Sequence, residues 1–455
     1  MERFVLVGAG SALFTRGLVA DLVGRNEQCR LAVVDIAPEA LEVAERLAAK
    51  MIEATGAPVE LVASTERRDV LADATAVICT IAVGGAQASE QDGVIPRKYG
   101  VWQTIGDSVM PGGTARALRS IPAMVAIAED VCELAPDALF FNYSNPMTPI
   151  CRAVRKATGA QVVGLCTGVD STARHLANVL GAALDEVSYS AAGINHLTWF
   201  TEFRVNGEDA FPRLRELAAE KLSSLEGGAE VDRKVLEDIG PFSWQLFELL
   251  GAYPAPGDRH IIEFFPHLFR DGKHYGKTLG VDIYSFESWI GFCREITDQM
   301  REEALSKEPL PRDYFERIGG ERSMAFEIVD SVRRDAGRVY SVNVPNRGQI
   351  PNLPEEAVVE SPAAANASGL RPIPQAPLPS GIVGTLATRL AWVETVVEAA
   401  LEGSRDKFVQ ALLLDGAVDS IDKAGALADE FLAAQAQFLP RFRARSQQPP
   451  GRMEA

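Results

Sequence analysis

A short segment near the start of the chain limits the fold more than anything else in it. Residues 4–10 read FVLVGAG, residues 11–25 read SALFTRGLVADLVGR, and residues 31–36 read LAVVDI. An apolar strand, a glycine turn, an amphipathic helix and a second apolar strand, in that order, make a βαβ unit. Gly8 and Gly10, followed by Ser11, stand where the backbone turns tightly and where a pyrophosphate can reach the open amides of the helix. Leu13 takes the place of the third fingerprint glycine. Asp35 closes the second strand, where a carboxylate bonds a ribose 2′-hydroxyl and repels a 2′-phosphate, so NAD is expected over NADP. Taken alone, the glycines also fit a plain strand-to-helix turn.

The alternation continues through a helix-like stretch to residue 55, apolar strands at 59–65 and 75–83, a helix at 122–134 and strands at 138–144 and 161–165. Strands alternating with helices favour a parallel sheet covered on both faces. Beyond residue 165 the pattern gives way to longer charged helices. The expected class is therefore α/β: a Rossmann-type doubly wound parallel sheet followed by a mixed α+β catalytic domain. The boundaries read as 1–165 for NAD binding, 166–440 for catalysis, substrate binding and oligomerisation, and 441–455 for a flexible tail. Residues 351–380, rich in Pro and Ala, read as an extended or loop segment outside the core. Residues 385–403 and 407–418 read as helices that pack back on the body.

Charge and cysteine usage narrow the partners. Asp and Glu total 62 against 45 Lys and Arg, a net −17 that repels phosphate backbones and anionic lipids. Nucleic acid and membrane are thus not expected as partners. No apolar run approaches the roughly 18 to 20 residues of a bilayer span, and no signal sequence is evident. Six scattered cysteines without a CxxC form neither a disulfide framework nor a zinc-finger spacing. A reducing cytoplasm is the expected location.

Four segments carry polar residues at expected strand ends, where ligands of α/β sheets collect. Asp107 lies in a glycine-bounded loop and either faces a ligand or caps the next helix. Asn142 and Asn145 flank Ser144, fit either for sugar hydroxyls or for a local Asx turn. Cys166 follows one strand and His196 sits in a loop, a thiolate and an imidazole suited to a divalent metal, although each is also at home as an ordinary buried residue. Asp258, Arg259 and His260 precede the apolar run IIEFF, where a solvated loop is the plainer reading.

Together, VGAGSALF, GVWQTIGDSVMPGGTARALRSIP, NYSNPM, GLCTG, GINHLTWF, YPAPGDRHIIEFFPH and VNVPNRGQIPNLP resemble, in the same order, glycoside hydrolase family 4, and within it the α-galacturonidase branch. The resemblance implies a Rossmann domain with a mixed catalytic part, assembled as a homodimer or homotetramer. It implies NAD and a divalent metal, manganese foremost, held by Cys166 and His196. It also implies hydride loss from C3 of a small glycoside, proton loss from C2, elimination of the aglycone, water addition and return of the hydride. No carboxylate pair is needed for that route. By the same resemblance Asp107 is the acid, Asp258 the base with Tyr253 as fallback, and Asn145 a partner of sugar hydroxyls. Arg259 and His260 would meet an anionic substituent.

Many α-specific members of the family carry a histidine after the cysteine, whereas this chain reads Cys166-Thr167-Gly168. A smaller, neutral wall at Thr167 beside Arg259 and His260 fits an anionic sugar, a uronide or a sulfoquinovoside. The competing readings are a neutral α-galactosidase or α-glucosidase of the same family, a lactate/malate-like dehydrogenase, and an NAD-binding sensor without catalysis.

Overall fold

The computed structural model describes residues 1–223, 240–268, 284–318 and 323–442. Six parallel strands come first: β1 (Glu2–Val7), β2 (Cys29–Val34), β3 (Val59–Ser64), β4 (Ala76–Cys79), β5 (Leu139–Asn142) and β6 (Val162–Gly164). Their spatial order is β3-β2-β1-β4-β5-β6, the doubly wound arrangement whose switch point lies between β1 and β4. Val5, Leu6, Val33, Val77 and Ile78 are buried in inner strands with helices on both faces. That is why these strands read as continuous apolar runs rather than alternating ones. Each such side chain contributes roughly 1.5–3 kcal/mol by leaving water.

The later strands are β7 (Val187–Ile194), β8 (Leu197–Val205), β9 (Glu208–Asp209), β10 (Tyr253–Ala255), β11 (Arg338–Pro345), β12 (Val358–Asn366) and β13 (Gly369–Pro372). β11 joins β6 antiparallel, with Asn343 opposite Gly164, and β12, β7, β8 and β10 follow in order. The sheet therefore runs unbroken across residue 165, where strand direction changes from parallel to antiparallel.

The expectation for residues 351–380 fails here. β12 lies between β11 and β7 with Val358, Val359, Ala363 and Ala365 buried. A strand covered on both faces by small side chains lacks the period-two pattern that marks a half-exposed strand, and Pro362 within it masked the rest.

One face of the sheet packs the helices Ala12–Gly24, Pro38–Thr55, Phe286–Leu305 and Met324–Arg333. The other packs Met110–Leu134 and Met147–Thr158 with the helices Ser380–Glu402, Arg405–Asp415 and Ile421–Ala434, which return from the far end of the chain as expected. Trp392 Nε1 donates to Thr114 Oγ1 at 3.2 Å across that contact. Deeper in, Arg119 pairs with Asp92 and donates to Gln435 Oε1 at 3.1 Å, all three buried. Removing one partner of such a pair costs about 3–5 kcal/mol. At the expected tail, Arg441 donates to the Leu401 carbonyl at 2.7 Å and Phe442 packs on the core, while residues 443–455 lie outside the described residues. Among the described residues no helix is long and apolar enough to cross a membrane.

Candidate active site

The dinucleotide turn is built from adjacent residues. Gly8 has φ +90°, and a Cβ there would meet the Ile81 amide nitrogen at 2.8 Å. A Cβ on Gly10 would meet Asp35 Oδ2 at 2.8 Å and Ala40 Cβ at 2.7 Å. Instead the Gly10 amide donates to Asp35 Oδ2 at 2.8 Å, and the Ala37 amide donates to Oδ1 at 3.0 Å. Those bonds fix the carboxylate at the end of β2 and leave it lone pairs for a further donor. The helix that follows has Ser11 at its N-cap with no side-chain cap, so its first amides stay open to an anion.

The second half of the site is assembled from the ends of other strands. Asp107 lies in the loop before the Met110–Leu134 helix, Asn145 follows β5, and Cys166 follows β6. His196 is the second residue of the two-residue Asn195-His196 turn joining β7 and β8, at φ +63°. That left-handed conformation is uncommon outside glycine. His260 comes from the Asp258–Ile261 helix. One ligand atom from each of Asp107, His196 and His260 lies within 4.8 Å of the others, and the two imidazole centroids are 4.1 Å apart.

Hydrogen bonds define the state of this cluster. Ser108 Oγ donates to Asp107 Oδ1 at 2.7 Å and lies 2.7 Å from His196 Nδ1. A hydroxyl has one proton, so His196 Nδ1–H donates to Ser108 and its Nε2 lone pair is free for a ligand. Asn145 Nδ2 donates to Asp107 Oδ2 at 3.1 Å. Burial lowers the pKa of His196, against the pull of Asp107, and takes His260 down to about 3. For Asp107, burial is opposed by His196, His260 and Arg116, and the net effect holds the carboxyl below its usual range. Two imidazoles beside a carboxylate make a donor set that suits a divalent cation. Among the described residues the buried Asn145 Oδ1 and His260 Nδ1 have no hydrogen-bond partner, which fits polar groups kept for a ligand.

The expected residues divide. Asn142 makes the local turn, exchanging bonds with Ser144 at 2.9 and 3.0 Å, whereas Asn145 reaches the cluster. Asp107 is not a helix cap, because Val109 holds that position. Cys166 is outside the three-residue cluster; its sulfur accepts from the Gly168 amide at 3.4 Å, and burial pushes the thiol up to about 12. Thr167 is exposed at the start of the following helix.

The expected bases are placed elsewhere. Asp258 accepts the amides of Phe242 and Ser243 at 2.8 Å each and the Ser243 hydroxyl, capping the Pro241–Leu250 helix. Burial raises its pKa, yet both oxygens are committed to those donors. Tyr253 is buried edge-on to Trp244 at 4.9 Å, and burial with the charge of Asp258 raises its hydroxyl further. A helix start engages the first side chain and an aromatic cluster packs the second. Arg259 lies over the Tyr284 ring and reaches the Ser285 carbonyl at 3.3 Å.

Three contributors escaped sequence reasoning. Ser108, which orients His196, could have been suspected from its place beside Asp107. Arg116, half-buried, acts electrostatically on Asp107 and makes no hydrogen bond or ion pair among the described residues; its TARALRS segment reads as plain helix. Glu263, buried within IIEFF, holds the 104–106 backbone, and burial pushes its carboxyl up to about 7. A lone acid inside an apolar run was the signal for it.

The profile of the family 4 glycosyl hydrolases matches residues 3–182, and that of their C-terminal domain matches residues 191–418. An α-glucosidase of Erwinia rhapontici is 32% identical over 459 residues, covering 96% of this chain and 98% of its own. An α-galacturonidase of Bacillus subtilis strain 168 is 29% identical over 437 residues, covering 93% and 95%. Among solved structures, a putative glucosidase, lplD, of Bacillus subtilis superposes with a TM-score of 0.82 at 26% identity, over 95% of this chain and 100% of that one. A 6-phospho-α-glucosidase from gut microorganisms, solved with NAD and Mn2+, has the same fold, with a TM-score of 0.80 at 20% identity over 96% and 99%.

Proposed function

Because the chain belongs to family 4 of the glycosyl hydrolases, we propose that it cleaves small glycosides of an anionic sugar, a uronide or a sulfoquinovoside, with NAD and a divalent metal, manganese foremost. The observation that carries this reading is the grouping of one carboxylate, Asp107, with two imidazoles. Asp107 lies within reach of the His196 and His260 imidazoles, while the buried acids Asp258 and Glu263 accept backbone amides. Ordinary glycosidases work with a pair of carboxyl groups, and the NAD-dependent family is the exception. When bound, NAD takes up and returns a hydride at C3 while the metal supplies Lewis acidity.

The chain's own residues do the rest. Gly8, Gly10 and the open helix start receive the pyrophosphate, and Asp35 takes the ribose hydroxyl. His196, oriented through Ser108, and His260 and Asp107 hold the metal, with Cys166 on the adjoining turn. Asn145 directs its carbonyl oxygen to a sugar hydroxyl. Asp107 enters as a carboxylate, so one of its oxygens takes the proton lost from C2 of the sugar and passes it to the leaving oxygen as the aglycone departs. Arg116 supplies the cation for the sugar's acid group in place of Arg259.

A cycle that returns its cofactor and uses a free thiol suits the cytoplasm, and a homodimer or homotetramer is the proposed assembly. The family match across both halves displaces the hydroxy-acid dehydrogenase reading. The α-glucosidase at 32% identity favours a second reading, a neutral α-glycosidase.

The test is the purified protein with NAD, Mn2+ and reductant against nitrophenyl glycosides of galacturonic acid, glucuronic acid, sulfoquinovose, galactose and glucose. Hydrolysis of the anionic sugars that stops without NAD is expected. Preference for glucose or galactose would establish the neutral reading, and hydrolysis independent of NAD would end the mechanism.

A further inference from the structure

We propose that Glu263 is a positioning residue of this site, one that locks the Asp107 loop and the His260 segment into a single frame. The proposal rests on the metal-binding reading above. Glu263 Oε1 accepts three consecutive amides, Thr104 at 2.8 Å, Ile105 at 2.8 Å and Gly106 at 2.9 Å. Gly106 has φ +68°, and successive amides turned inward in this way form a concave anion nest. The acceptor filling it is a side chain of this protein, 1% exposed. Asp107 and Ser108 follow the nest immediately, and Glu263 sits one helical turn beyond His260. The Thr104 hydroxyl adds a bond from the same loop to the Arg259 carbonyl.

The loop is also held at its far end. The Met110 amide donates to buried Asp415 Oδ2 at 2.8 Å, and Arg389 completes that pair at 2.7 Å. With both ends pinned, Asp107 and Ser108 have little freedom to leave His196. Three buried amides without an acceptor are costly. The loop would therefore rearrange if the carboxylate were removed.

The experiment compares wild type with Glu263→Gln and Glu263→Met. Mn2+ binding is read from the free-ion electron paramagnetic resonance signal, NAD binding by calorimetry, and kcat and KM with the best nitrophenyl glycoside. Glu263→Gln keeps an acceptor oxygen without the charge, and Glu263→Met removes the acceptor at similar volume. The expected order is Mn2+ affinity reduced about threefold to tenfold in Gln and at least about 30-fold in Met, the scale of loss when a metal site's supporting contacts go. NAD affinity should stay within about twofold, and kcat should fall more than KM rises. Unchanged Mn2+ affinity and kcat in either NAD-binding variant would overturn the proposal. So would loss of NAD and Mn2+ binding together in both variants, which would make Glu263 a residue of the fold at large. Failure of wild type itself to bind Mn2+ would instead strike the metal-binding reading.

Discussion

The dinucleotide turn and the Asp107 cluster are both built on one sheet, yet their parts come from very different distances in the sequence. Gly8, Gly10, Ser11 and Asp35 fall within one βαβ unit, and the Gly10 amide reaches Asp35 directly. Asp107, Asn145, His196 and His260 come from four separate segments. The first site needs little beyond its own backbone, whereas the second depends on buried side chains that hold foreign segments together. Local geometry makes a site robust, and assembled geometry makes it easy to break at a distance.

That contrast predicts separable losses. His196→Ala should cut turnover on the order of 1,000-fold and abolish tight Mn2+ binding, with NAD affinity unchanged. Loss of NAD binding in that variant, measured by calorimetry, would show that the two sites are not independent. Gly10→Val should do the reverse, because its side chain would meet Asp35 and Ala40 below 3 Å. A fall of about 100-fold in NAD affinity, roughly 2.8 kcal/mol, is expected with Mn2+ binding kept.

Asp258→Asn sharpens the comparison within the assembled half. As a helix cap, Asp258 should cost about 1–2 kcal/mol of stability when changed, with kcat within about threefold of wild type. A collapse of kcat with Tm intact would restore Asp258 as the base.

The smallest effect concerns Glu360, buried on β12, where Thr198 Oγ1 donates to it at 2.7 Å. Burial raises its carboxyl from 4.5 to about 7, so the folded state holds the proton more tightly than the unfolded one. The stability tied to that proton is whole below pH 4.5 and is lost as pH rises through about 7. The loss is at most on the order of 3 kcal/mol. Glu360→Gln should flatten the fall in Tm between about pH 5 and pH 8 by about 2 °C. An unchanged profile would show that the carboxyl ionises freely in the fold.

Much of the parallel half was legible because helix and strand periods are local. The central antiparallel strand β12 was not, since its small residues, buried on both faces, and Pro362 carry no periodic signal. In the site, Asp107, Asn145, His196 and His260 were named from the chain, and the structure brings them together. Asp258 and Tyr253 have partners that the chain did not reveal. A sequence shows that an acid or a phenol is present near a site, but not whether a helix start or an aromatic cluster has already claimed it.

By itself the sequence determined the glycine turn, the acid that closes it, the order of strands and helices in the first half, and the family. These depend on backbone freedom at glycine, on side-chain period and on residues close enough to constrain each other within a few turns of chain. Only the tertiary structure decided which polar side chains are open and which are spent. Burial makes every unpaired polar group costly, so Asp258 and Glu263 take the amides that packing sets before them. Asp107 remains the carboxylate left facing two imidazoles.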